Sequence, residues 1–143
     1  MRERLSREAL AELIRRNSAE IVRLHRRVHQ TWAERALPGG EGRWRSAAVE
    51  FRERYNALAY PGGYEHALTL LDADDAPSIE IALVFLEEAP YFFRSGFMSK
   101  RLRQKVKQCR WRGALSERQL ERLDVILHRE QQWRARDRDA RSE

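Results

Sequence analysis

At 143 residues the chain is long enough for one domain that removes roughly two thirds of its unfolded surface from water, so neither disulfide nor metal is needed to hold it together. With 35% charged residues and no apolar run near the ~20 residues of a bilayer span, the sequence excludes a transmembrane helix. A single cysteine excludes an intramolecular disulfide, and with a polar, charged start it points to the cytoplasm rather than to secretion.

The net charge of +6 is unevenly placed. Residues 61–90 carry 7 carboxylates and no Lys or Arg, whereas 91–115 carry 8 cations and no carboxylate. Neighbouring blocks of opposite sign can pair, and each exposed pair is worth little.

Residues 1–37 are expected to hold one long helix, with Ser6 as its cap and Pro38-Gly39-Gly40 as its stop. Leu10, Ile14, Asn17, Ile21, Leu24, Val28 and Thr31 alternate steps of four and three, which is a heptad seam. Such a seam, with one amide at Asn17, suits a parallel two-stranded coiled coil, and a homodimer is one reading. Three heptads are short for a free-standing zipper, so packing against the rest of the same chain is the preferred reading.

A second amphipathic helix is expected over 44–59, with Trp44, Ala47, Ala48, Phe51, Tyr55 and Leu58 on one face and Tyr60-Pro61-Gly62-Gly63 ending it. A short helix over 64–73 turns Ala67, Leu68 and Leu71 inward. The organising element comes next. Ile81 to Leu86 is apolar at six consecutive positions, which predicts a helix over 78–89 enclosed on all sides, capped by Ser78 and stopped by Pro90. Tyr91, Phe92, Phe93 and Phe97 follow directly on that run and are read as core.

The next helix, 97–112, is the basic one. Met98, Leu102, Val106 and Cys109 make one apolar stripe, and Lys100, Arg101, Arg103, Lys105, Lys107, Arg110 and Arg112 cover the rest, with Arg94 just before the helix and Trp111 beside them. These cations are the candidate partner-binding residues, and the alternative to a free surface is pairing with Asp72, Asp74, Asp75, Glu87 and Glu88. Ser116 and Gln119 form a capping box for the last helix, whose stripe is Leu120, Leu123, Ile126 or Leu127, and Trp133. Residues 134–143 lack apolar periodicity and are expected to fray, leaving 1–133 as a single helical domain. The expected fold is all-α, an irregular bundle or short solenoid of about six helices around the buried helix at 78–89.

Chemistry is sparse. His25 and His29 stand one turn apart but are crowded by Arg23, Arg26 and Arg27, so packed or solvated imidazoles are preferred to a metal site. His66 and His128 are isolated. Cys109 lies on the apolar stripe and reads as buried rather than reactive. Asp72, Asp74 and Asp75 lack the glycine of a calcium loop, and glycines 39, 40 and 42 lack the Lys-Ser/Thr of a phosphate loop. No catalytic set, cofactor or metal is expected. The sequence therefore points to a non-catalytic interaction module that binds a protein partner, acidic in character, through the basic helix and the N-terminal seam. Its alternative is DNA or RNA held on the phosphate backbone by the same helix.

Overall fold

The structure, a computed structural model, describes residues 5–142, which are helical apart from short connections and contain no strand. In chain order the helices are α1 (Arg7–Ala33), α2 (Gly40–Ala59), α3 (Tyr64–Asp72), α4 (Ala76–Glu88), α5 (Ser95–Trp111) and α6 (Glu117–Ser142). None is long and apolar enough to cross a membrane.

Ser6 caps α1, its Oγ accepting from the Ala9 N–H at 3.1 Å. The chain then reverses, and Arg27–Glu50 at 3.0 Å and Arg54–Glu20 at 2.9 Å show the antiparallel register of α1 on α2. The reversal is closer than the sequence suggests, because α2 begins at Gly40 rather than at Trp44. Gly39 takes a left-handed φ of 72°, and a Cβ on Gly40 would lie 2.1 Å from the Glu34 carbonyl oxygen, so the turn admits glycine there.

Helix α4 is the centre of the packing, with α1, α3, α5 and α6 against it. Ile79 and Ala82 to Leu86 are all buried, as one would require of a helix apolar all round, while Ile81 is only half-buried. Its cap differs from the sequence reading. Asp75, not Ser78, occupies the cap position and accepts from the Ser78 N–H at 3.1 Å and the Ser78 hydroxyl at 2.6 Å. Pro77 sits inside the first turn, where it has no N–H to lose. Charged neighbours frame α4 at its edges: Arg7 reaches Glu87 at 2.8 Å, Arg15 reaches Glu88 at 3.0 Å, and Arg122 spans Glu80 and Glu87.

Ser116 and Gln119 form the expected reciprocal cap of α6, at 3.0 and 3.2 Å. Trp133 is 53% exposed rather than part of the buried stripe. The helix runs on to Ser142. Glu130–Arg134 at 2.7 Å and Asp137–Arg141 at 3.1 Å, each with the acid one turn ahead of the base, support this stretch without any apolar face.

Candidate functional site: the outer face of α5

The segment leading into α5 is pinned before the helix begins. Ala89 leaves α4 with φ 47°, and Arg94 enters α5 with φ 69°, two left-handed residues that swing the chain around Phe92. Phe92 is buried, its ring 6.5 Å from Phe85 and 6.2 Å from Tyr55. The Tyr55 hydroxyl donates to the Phe93 carbonyl at 2.6 Å, and the Ser95 Oγ accepts from the Phe92 N–H at 2.9 Å. Burial is the main cause that raises the Tyr55 phenol above its ordinary value, so it keeps the proton it donates.

From there Met98, Leu102, Val106 and Cys109 face inward and are buried, as the four-four-three spacing requires. Burial, with Asp74 alongside, pushes the Cys109 thiol up to about 11, and its Sγ donates to the Leu71 carbonyl at 3.2 Å. It is an inert core residue.

The cations divide into two groups. Those beside the inward stripe are engaged by the molecule's own carboxylates: Arg103 with Glu130 at 2.7 Å, Lys105 with Asp72 at 2.7 Å, Arg110 with Asp124 at 3.6 Å, and Arg112 with Asp74 at 2.9 Å. These four tie α5 to α3, to the loop after it and to α6, which is the internal pairing weighed against a free basic surface. Asp72 and Asp74 are partners the sequence named; Glu87 and Glu88 instead pair with arginines of α1 and α6, and Asp75 caps α4. Arg94, Lys100, Arg101 and Lys107 have no carboxylate within 4.0 Å among the described residues.

One correction concerns the aromatics. Only Phe92 of the four residues read as core is buried. Tyr91 is 90% exposed, Phe93 44% and Phe97 67%, and Trp111 at the other end of α5 is 83% exposed. Phe97, Arg101, Gln104, Gln108 and Trp111 recur at steps of four and three, so they form one outward stripe opposite the core, with Lys100 and Lys107 beside it. That spacing was present in the sequence and is the signal that would have found Phe97.

The N-terminal seam faces the chain's own core. Leu10, Ile14, Ile21 and Leu24 are buried in the chain's own core, and Thr31 is buried with its hydroxyl bonded to the Arg27 carbonyl at 2.8 Å. Asn17 and Val28 are half-buried. The stripe packs against α2 and α4 of the same chain.

His25 packs between Phe51 and Phe93, with ring centroids 5.2 and 5.1 Å away, and its edge meets His29 at 4.6 Å. Burial, then the charge of His29, lowers its pKa. Among the described residues no group of three His, Cys, Asp or Glu side chains is gathered as a metal site would need.

The fold and this face together define an all-α protein whose distinctive surface is one cationic, aromatic helix face. No family model, no curated protein and no solved structure matches the chain.

Proposed function

We propose that the chain is a non-catalytic helical interaction module that docks an acidic, amphipathic helix of a partner protein along the outer face of α5. One observation carries the reading: Phe97, Lys100, Arg101, Lys107 and Trp111 share a face without a carboxylate, while the neighbouring cations are held internally. Aromatic and arginine anchors are the residues that dominate protein interfaces. Phe97 and Trp111 are 14 residues apart, about 21 Å along the axis, which matches about four turns of a partner helix. Glutamates or aspartates on that helix would meet Lys100, Arg101 and Lys107 between two apolar ends.

The exposed Phe97 and Trp111 are also what a single-stranded nucleic acid would stack on. The number of unengaged cations favours the protein partner. Four of them, Arg94 included, would give a single strand a log–log salt slope no steeper than about −2.8, shallow for a protein that lives by phosphate contacts.

The test is a fluorescence-anisotropy titration of a labelled Glu/Leu heptad helix four turns long, against a labelled oligothymidylate. The expected result is saturable peptide binding that is weakened at least about tenfold by Arg101→Glu with Trp111→Ala, about 1.4 kcal/mol or more. Tighter binding of the oligonucleotide replaces this reading with the nucleic-acid one, and binding of neither ends both.

A further inference from the structure

A separate groove, of about 560 Å³, runs between the middle of α1 and the segment that leads into α5. Its volume lies within the range of small-molecule sites. Its walls come from two segments some 65 residues apart in sequence, so no linear motif announces it. The side chains that give it character are His25, Arg26 and His29 from α1 and Tyr91, Phe93 and Arg94 from the other side. No carboxylate lines it.

Three properties set it apart. Arg26 and Arg94 are exposed and have no acidic partner among the described residues, so two guanidinium charges meet no internal counter-ion. Tyr91, 90% exposed, offers a flat face beside those charges, while the Phe93 ring behind it is taken up by His25 at 5.1 Å and by the Arg94 guanidinium at 5.4 Å. The wall is also rigid: the Phe93 carbonyl is held by Tyr55, the Phe92 N–H by Ser95, and the His25 ring lies between Phe51 and Phe93.

A groove of similar size between α4, α5 and α6 lacks this character. It contains Glu130 and Asp137, and its arginines are occupied: Arg103 and Arg134 by Glu130, and Arg129 by the Leu86 and Glu87 carbonyls. Its arginines are all engaged internally, and those of the α1 groove meet no carboxylate.

We infer that the groove between α1 and Tyr91–Gly96 binds a small phosphate ester bearing a flat aromatic ring, a ligand of the mononucleotide kind. Arg26 and Arg94 take the phosphate, with imidazole N–H groups of His25 and His29 as further donors, and Tyr91 takes the ring. Guanidinium forks suit a phosphate's paired oxygens, and stacking on an exposed aromatic is indifferent to which base is offered. The inference is independent of what docks on α5, because Lys100, Arg101, Lys107 and Trp111 lie outside this groove.

The experiment is an amide chemical-shift titration of the full chain with AMP, with adenosine, and with inorganic phosphate. AMP is expected to bind saturably at millimolar concentration or below, moving the Gly96, Phe97 and His29 amides, and to bind more tightly than either half alone. Arg26→Ala with Arg94→Ala is expected to weaken AMP at least about tenfold, and Tyr91→Ala to reduce AMP to the affinity of phosphate. All three residues are exposed, and unchanged far-ultraviolet dichroism checks that each variant is folded. No saturation by AMP, shifts confined to other surfaces, or AMP binding unchanged in the double arginine variant would overturn the site. AMP binding that ignores Tyr91→Ala would overturn the ring's placement.

Discussion

The Arg103 Nε lies 2.7 Å from Glu130 Oε2, and with 18% and 17% of their side chains exposed the two are largely shut off from water. Burial works to lower the Arg103 pKa and the Glu130 carboxylate opposes it, so each charge depends on the other. Removing Glu130 strands Arg103, and removing Arg103 leaves the enclosed Glu130 carboxylate with the exposed Arg134 alone, at 2.7 Å. Arg103→Met is therefore expected to cost about 2 kcal/mol, read as a lowered urea midpoint, and Glu130→Leu added to it is expected to recover part of that loss. Lys100→Ala, on the outer face of the same helix, is expected to change stability by less than about 0.5 kcal/mol. Equal losses at 100 and 103 would contradict the division of α5 into engaged and unengaged cations.

Ile21 is 1% exposed and sits on the stripe that reads as a dimer seam. Because α2 and α4 cover that stripe, Ile21→Ala is expected to lower stability by about 2–4 kcal/mol, the cost of a cavity in the chain's own core. Light scattering should give the same mass for the variant and the parent protein. A parent dimer that Ile21→Ala splits into folded monomers would show that the seam joins two chains.

The extent to which the sequence disclosed this arrangement follows from which signals are local. The α4 core, the Met98–Cys109 stripe and the Ser116–Gln119 cap are set by spacing within one helix, and period or pattern revealed each of them. The cap of α4 is not decided by spacing, because Asp75 and Ser78 are both good caps three residues apart and Pro77 stands between them in the first turn. Tyr91 and Phe97 look like core in the sequence because hydrophobicity alone does not tell a ring that faces inward from one turned out by left-handed residues at 89 and 94. Pairings such as Arg103–Glu130 and the groove between α1 and Tyr91 join residues far apart in the chain, and no periodicity encodes them.

Arg122 joins Glu80 at 2.7 Å and Glu87 at 2.5 Å and is itself only 12% exposed. Burial tends to raise the Glu80 carboxyl, and the hydrogen bonds from Arg122 and Gln119, with the Arg122 charge, outweigh it and hold it below the usual carboxylate value. A carboxyl lowered on folding binds more protons when unfolded, so its contribution is complete above the unfolded value of about 4.3 and is lost as pH falls through the lower folded value. Unfolding free energy should therefore decline on acidification below about pH 4.3. In Glu80→Gln that part of the decline should be absent. An unchanged acid slope in the variant would refute the role of this carboxylate.

The Tyr60 hydroxyl is buried and has no hydrogen-bond partner among the described residues. Burial, then neighbouring Tyr64, raises its pKa far above an ordinary phenol. Tyr60→Phe removes an unsatisfied polar atom and keeps the ring that packs 5.1 Å from Phe85, so it is expected to raise stability by about 1 kcal/mol. A loss of stability in urea unfolding would show that the hydroxyl is satisfied in solution.

Cys109 lets alkaline behaviour be tied to one buried group. Its thiol is fully enclosed and pushed up to about 11, against about 8.5 for an unfolded thiol. The folded chain holds the proton that the unfolded chain gives up, so the stabilisation is complete below about 8.5 and is lost as pH rises toward the folded value. Iodoacetamide at pH 8 should then modify Cys109 only as fast as the core opens, with the rate following urea concentration in step with unfolding. Cys109→Ala loses packing at every pH, so the informative quantity is the slope: between about pH 8.5 and 10 the variant's stability should fall less steeply than the parent's. Above about 10 the tyrosines, Tyr60 foremost, add their own decline to both curves, which should run parallel only above the folded thiol value of about 11. Rapid alkylation of the native protein, or identical slopes below pH 10, would mean that the thiol is open to solvent and that α5 does not seal against the Leu71 carbonyl.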